Sequence, residues 1–116
     1  MHEYSLVQAL LQRVGEEARA RGAVAVHRVA VRIGPLAGVE RRLFATAFGL
    51  CRADGLCDGA ELVIAGDDVA WTCAVCGAGL TATGAPVCPT CGLPARLTGG
   101  DELMLDRIDL EVPADV

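Results

Sequence analysis

The amino-acid sequence predicts an α+β fold in which a small mixed sheet is packed with two helices and a four-cysteine ribbon lobe is inserted into the core. Three observations carry this. Two segments, from Ser5 to about Arg21 and from Val39 to Leu50, repeat apolar residues at helical spacing. Three others, Ala23 to Ile33, Ala60 to Ala65 and Glu102 to Val112, are short, rich in Val, Ile and Leu, and alternate as strands do. Between the second and third of these lie two pairs, Cys73-Ala-Val-Cys76-Gly and Cys88-Pro-Thr-Cys91-Gly.

In the first helix Val7, Leu10, Leu11, Val14 and Ala18 share one face, while Gln8, Gln12, Arg13 and Glu17 fall elsewhere. Ser5 with Gln8 can form a capping box, with a start nearer Glu3 as the alternative. Arg19 and Arg21 suit the negative helix end, and Gly22 is a left-handed stop. The first strand places Val29, Val31 and Ile33 on one face and Arg28 and Arg32 on the other. Val24 and Val26 alternate on the opposite phase, so a bulge or two-sided burial is expected near His27. His27 reads as a strand residue at that slip, since no second ligand type stands nearby.

Gly34-Pro35 ends the strand. The second helix groups Val39, Leu43, Phe44, Ala47, Phe48 and Leu50 into a face broad enough to be mostly buried, with Glu40, Arg41 and Arg42 as its solvated start. Cys51 is expected to be a buried small hydrophobe and Cys57 a loop thiol. Leu62 and Ile64 define the next strand, and Gly66-Asp67-Asp68 turns the chain into the cysteine lobe. In the last strand Leu103 and Leu105 lie on one phase and Ile108, Leu110 and Val112 on the other, which predicts a bend or change of partner near Asp106-Arg107. So apolar a strand must pair with the earlier sheet.

The two Cys-x-x-Cys pairs fit tetrahedral metal. Each two-residue spacer lets both sulfurs face one point, and Gly77 and Gly92 supply the left-handed turn such knuckles need. The residues between the pairs let the second return beside the first, in a lobe too small to hold itself together without a metal core. Nothing at the start of the chain resembles a secretory signal, so reduced thiols and a cytoplasmic location are expected rather than disulfides. A thioredoxin-like site would need one pair beside a βαβ unit. The expectation is a four-cysteine zinc-ribbon lobe with structural Zn(II) on Cys73, Cys76, Cys88 and Cys91, iron being the next candidate. A site closed by four sulfurs has no open position for catalysis, so no enzyme is expected.

With 116 residues there is room for one core, and with 53% hydrophobic but 3% aromatic residues that core is aliphatic, anchored by Phe44, Phe48 and Trp71. The net charge of −5 repels phosphate backbones, and no apolar run is long enough to cross a bilayer. Neither nucleic-acid binding nor membrane insertion is expected.

At the N-terminus, Met1-His2-Glu3 places an α-amine, the next amide nitrogen and the His2 imidazole Nδ1 where they can close two fused chelate rings, an arrangement suited to Ni(II) or Cu(II). Taken alone, a histidine at position two is more often a solvated terminal residue. The combination of MHEYS, VRIGPLAGVE, DGAELVI, CAVCG, CPTCG and GGDELMLDRIDLEV, in that order along essentially the whole chain, resembles the HypA/HybF family of hydrogenase nickel-incorporation proteins. The resemblance implies a nickel site at Met1 (its amine), His2 and Glu3, and zinc on the four cysteines. The part played by Glu3 is open between amide donor, side-chain donor and partner contact.

The resemblance further implies a metallochaperone that delivers Ni(II) to the [NiFe]-hydrogenase large subunit together with a hydrogenase maturation GTPase (HypB-like), with urease maturation as an additional role in some organisms. Residues 1–68 and 100–116 would then form a discontinuous nickel-binding core, and residues 69–99 the zinc-binding ribbon. The rival reading is a zinc-ribbon adaptor that binds protein or nucleic acid without nickel; a thiol enzyme is disfavoured by the paired spacing.

Overall fold

A computed structural model describes residues 2–53, 55–66, 68–80 and 86–114. The chain runs α1 (His2–Ala20), β1 (Ala25–Ile33), α2 (Arg41–Cys51), β2 (Glu61–Gly66), β3 (Ala70–Thr72), β4 (Gly79–Leu80), β5 (Arg96–Gly99) and β6 (Leu103–Glu111). Asp67, in the turn expected after β2, lies outside the described residues. β1 is central in the first sheet, parallel to β2 and antiparallel to β6, so the sheet is mixed. β3, β4 and β5 form a second, antiparallel sheet in order β4-β3-β5. The cysteine ribbon thus stands, in sequence, between two strands of the first sheet.

α1 buries Val7, Leu10, Val14 and Ala18, as its periodicity requires, and packs over β1 and β6. It ends where Gly22 turns left-handed at φ 69°: Ala23 N–H reaches the Ala18 carbonyl and Gly22 N–H the Arg19 carbonyl, which satisfies two otherwise orphaned acceptors. Of the two starts the sequence allows, the structure takes the one nearer Glu3: the helix begins at His2 rather than Ser5, and the Glu3 carboxylate finds a partner in a distant part of the chain.

α2 buries Phe44, Ala47 and Phe48 against α1 and β2, but Leu43 and Leu50 stand in solvent at 54% and 65% exposure. The expected broad buried face is therefore narrower, because α2 is covered on one side alone. Cys57 corrects a second expectation. It is the buried thiol, at the foot of the core, while Cys51 at the end of α2 is half-buried.

Both strand irregularities anticipated from the phase slips are present. Between Val26 and Arg28 the β1–β6 register skips His27, which leaves Val26 and Val29 both in the core. Between Ala30 and Val31 it skips Asp106 on β6, so that Leu103 and Leu105 before the bulge, and Ile108 and Leu110 after it, pack on one side. On the opposite side Arg28 reaches Glu61 and Asp109, and Arg32 reaches Asp106, in exposed ion pairs that each contribute little. His27 pairs with Glu111 at 2.9 Å.

The two sheets are joined at a glycine crossing. Leu36 N–H donates to the Gly100 carbonyl at 2.7 Å and Gly34 N–H to the Glu102 carbonyl at 3.0 Å. Gly100, at φ 90°, lies so close to Asp68 and Val69 that a Cβ there would sit 2.7 Å from the Val69 Cα.

Candidate metal centre

Two loops of like geometry carry the cysteines. Cys73 N–H donates to the Ala78 carbonyl at 3.0 Å, and the Cys73 carbonyl accepts from Gly77 N–H at 2.9 Å. Cys88 repeats this with the Leu93 carbonyl at 2.9 Å and Gly92 N–H at 2.8 Å. Each loop needs its glycine, since Gly77 and Gly92 stand at φ 75° and 67°. β3 leads into the first loop and β4 leaves it, while Val87 and Pro94 bridge across the second.

The four sulfurs converge. Those of Cys73, Cys76, Cys88 and Cys91 all lie within 4.8 Å of one another, and the Cys76–Cys88 separation is 3.7 Å. A tetrahedron with zinc–sulfur bonds of about 2.3 Å has sulfur–sulfur edges of about 3.8 Å, so the donor set fits a tetrahedral thiophilic ion with little adjustment. Cys73 and Cys88 are buried, Cys91 is half-buried and Cys76 is exposed, so the cluster has one wet side.

Charge is distributed unevenly within the cluster. The backbone N–H groups of Cys76 and Val75 point at the Cys73 sulfur and hold its thiol down at about 6. Cys91 is pushed up to about 12, first by its hydrogen bond with the Cys76 sulfur and then by burial and the neighbouring sulfurs. Four adjacent thiolates repel one another until a cation joins them, so metal binding and loss of the Cys91 proton are coupled.

The N-terminal residues stand apart from this cluster in sequence, and Met1 lies outside the described residues. His2 is exposed at the start of α1. Glu3 is buried at 8% exposure, and its Oε2 accepts the backbone N–H of Glu40 at 3.1 Å. That hydrogen bond, ahead of other causes, holds the Glu3 carboxyl below the ordinary carboxylate range. Glu40 in turn caps α2, its carboxylate accepting from Arg42 N–H at 3.1 Å and Leu43 N–H at 2.7 Å. The starts of both helices are therefore tied together. Glu40 was legible in the sequence only as part of a solvated helix start; its tie to Glu3 spans the rest of α1, the strand β1 and the connections on either side of it, and no local pattern announces it.

Fold and site together define a small α+β protein with a four-cysteine, zinc-ribbon-like metal site. Residues 1–110 match the family model described as hydrogenase/urease nickel incorporation, metallochaperone, hypA. The chain belongs to this family. It is 34% identical to the hydrogenase maturation factor HypA of Shewanella oneidensis, over 99% of each chain, and 36% identical to that of Wolinella succinogenes, over 96% of each. Among solved structures, the solution structure of the Ni metallochaperone HypA from Helicobacter pylori is similar with a TM-score of 0.76 and 29% identity, covering 96% of this chain and 98% of that one. A second HypA solution structure gives 0.78 and 32%, covering 99% and 98%.

Proposed function

We propose that this protein is a nickel metallochaperone that binds Ni(II) at its N-terminus and delivers it to the large subunit of a [NiFe]-hydrogenase during maturation. The observation that carries the proposal is the family match over residues 1–110, which includes both the Met1-His2-Glu3 start and the four cysteines. Nickel is cargo, held by the Met1 amine, an amide nitrogen and the His2 ring. Two features favour such a site. His2 is exposed, and the first N–H groups of a helix have no partner within it, so an amide nitrogen can enter coordination without breaking a helical hydrogen bond. A donor set at a chain end can also be released one ligand at a time.

Glu3 contributes position rather than a carboxylate donor in this reading. Its side chain already accepts from Glu40, which fixes the first turn of α1 and with it the place of the His2 backbone. Zn(II) on Cys73, Cys76, Cys88 and Cys91 supplies a structural cross-link between the two loops. Residues 1–68 and 100–116 make up the nickel-binding unit, and residues 69–99 the zinc-binding one. The protein acts in the cytoplasm, without catalysis of its own, through direct contact with a hydrogenase maturation GTPase (HypB-like) and the hydrogenase large subunit. No described helix is long and apolar enough to cross a membrane.

Calorimetric Ni(II) titration of three proteins tests the proposal: the unmodified chain, His2→Ala, and a chain extended by one residue before Met1, which converts the amine into an amide. Tight binding is expected in the first and lost in the other two, with zinc content unchanged. Protons compete with nickel for these nitrogen donors, so affinity falls as pH drops. Undiminished affinity in the extended chain would remove the N-terminal site.

A further inference from the structure

Four of the six cysteines belong to the metal cluster, which leaves Cys51 and Cys57. The fold brings these two to one place. Cys51 ends α2, Cys57 stands in the loop that follows, and both line a single cavity of about 160 Å³ together with Leu11, Arg19, Arg52 and Leu56. Cysteines that serve only as small hydrophobes need no charged surroundings. Here the Arg19 guanidinium folds back over Gly15, where its Nη1 would stand 3.2 Å from an added Cβ, and the Arg52 guanidinium donates to the Ala60 carbonyl. Two positive groups thus share the cavity with the two thiols; they offset the negative end of α2 and favour anionic sulfur there.

The two thiols are unlike. Cys51 is half-buried, within reach of solvent, and is hydrogen-bonded by the side chain of Tyr4, the single tyrosine of the chain. Cys57 is 5% exposed and packs with the core, where burial pushes its thiol up. Its position is fixed from both sides: Val26 N–H donates to the Leu56 carbonyl and Ala60 N–H to the Cys57 carbonyl, each at 2.9 Å. Helix ends fray, so the movable member is Cys51. A reachable thiol on a helix end beside a fixed, protonated one is the arrangement of an attacking and a resolving cysteine.

We infer that Cys51 and Cys57 form a peroxide-sensitive thiol pair, in which hydrogen peroxide oxidises Cys51 and Cys57 resolves it to a reversible disulfide within the chain. In the first step the Cys51 thiolate attacks one peroxide oxygen: an S–O bond forms, the O–O bond breaks, and the departing hydroxide takes up a proton to leave as water. In the second the Cys57 sulfur attacks the Cys51 sulfur: the S–S bond forms, the S–O bond breaks, and the hydroxide leaves with the proton of the Cys57 thiol as a second water. Each sulfur gives up one electron and the peroxide gains two. Arg19 and Arg52 stabilise the attacking thiolate and the anionic sulfur–oxygen species that follows. Closure fastens the end of α2 to the loop that Val26 holds against the core, and it takes Cys51 away from Tyr4. A thiol-containing reductant reverses it by exchange. None of this depends on nickel, so the pair stands or falls separately from the N-terminal site.

Equimolar hydrogen peroxide, added to the zinc-loaded, reduced full chain at neutral pH, tests the pair. After free thiols are alkylated, cleavage after Arg42, Arg52 and Glu61 places Cys51 in peptide 43–52 and Cys57 in peptide 53–61, apart from all four zinc cysteines. The expected product is these two peptides joined by a disulfide, in a chain of unchanged size on a non-reducing gel, with zinc content unchanged and with the link lost on adding dithiothreitol. The ring signals of Tyr4 in NMR should shift on oxidation and return on reduction. Cys57→Ser should stop the reaction at a Cys51 sulfenic acid that dimedone captures, and Cys51→Ser should leave Cys57 reduced; the linked peptide of the unmodified chain needs neither variant to fold. Oxidation confined to the zinc cysteines with zinc release, a link from Cys51 or Cys57 to any other cysteine or to a second chain, or Cys57 oxidised as fast in Cys51→Ser as in the unmodified chain would each overturn the inference.

Discussion

Replacing Gly34 by alanine tests how the two sheets are joined. A Cβ at this position would lie 2.2 Å from the Gly100 carbonyl oxygen and 2.3 Å from its carbon. Ordinary heavy-atom contact is about 3.5 Å or more, so one backbone must retreat by roughly 1 Å. Gly100 has little room to do so, since it is held at φ 90° against Asp68 and Val69 and its carbonyl accepts from Leu36 N–H. Overpacking costs about 1–3 kcal/mol, and loss of that hydrogen bond about 0.5–1.5 kcal/mol, so Gly34→Ala should destabilise by about 2–4 kcal/mol. Two other glycines calibrate the effect. Gly49, inside α2 with open space around its Cβ position, should gain about 0.5–1 kcal/mol as alanine. Gly22 also faces open space but stands at φ 69°, and should lose about 1–2 kcal/mol. Urea unfolding of zinc-loaded protein, followed by helical circular dichroism, should rank them Gly49→Ala, unmodified, Gly22→Ala, Gly34→Ala. If Gly34→Ala unfolds within about 0.5 kcal/mol of the unmodified chain, the crossing is not the tight joint described.

Cys73→Ala should reduce bound zinc below one per chain and erase the β3–β4–β5 amide signals in NMR, while helical ellipticity survives because α1 and α2 have their own apolar core; collapse of both would show that the ribbon supports the core. Acidification should release zinc, because protons compete with it for the four sulfurs; zinc content unchanged after equilibration at low pH would refute thiolate ligation. Glu3→Ala should loosen the first turn of α1 and weaken nickel binding, whereas Glu3→Gln, which keeps an oxygen for Glu40 N–H, should retain most of both. Since the Glu3 carboxyl is depressed below 4.5, its charge-dependent contribution is present above that pH and is lost on acidification; Glu3→Gln should flatten the acid limb of the stability curve. Equal nickel loss in both variants would instead make the carboxylate a ligand.

Periodicity and spacing were enough for the parts of this protein that depend on near neighbours. Two helices, three core strands and the cysteine lobe follow from apolar repeats and from Cys-x-x-Cys-Gly, because a helix face, a strand face and a metal knuckle are each set by residues a few positions apart. Even the bulges at His27 and Asp106 were visible, as phase slips that one side of a sheet cannot absorb. What the tertiary structure decided are matters of distant partners. Between the two helix starts the sequence allows, the Glu3 contact with an amide near α2 goes with the earlier one; Leu43 and Leu50 are left in water because only one side of α2 is covered; and Cys57, which the sequence placed as a loop thiol, is buried against the core.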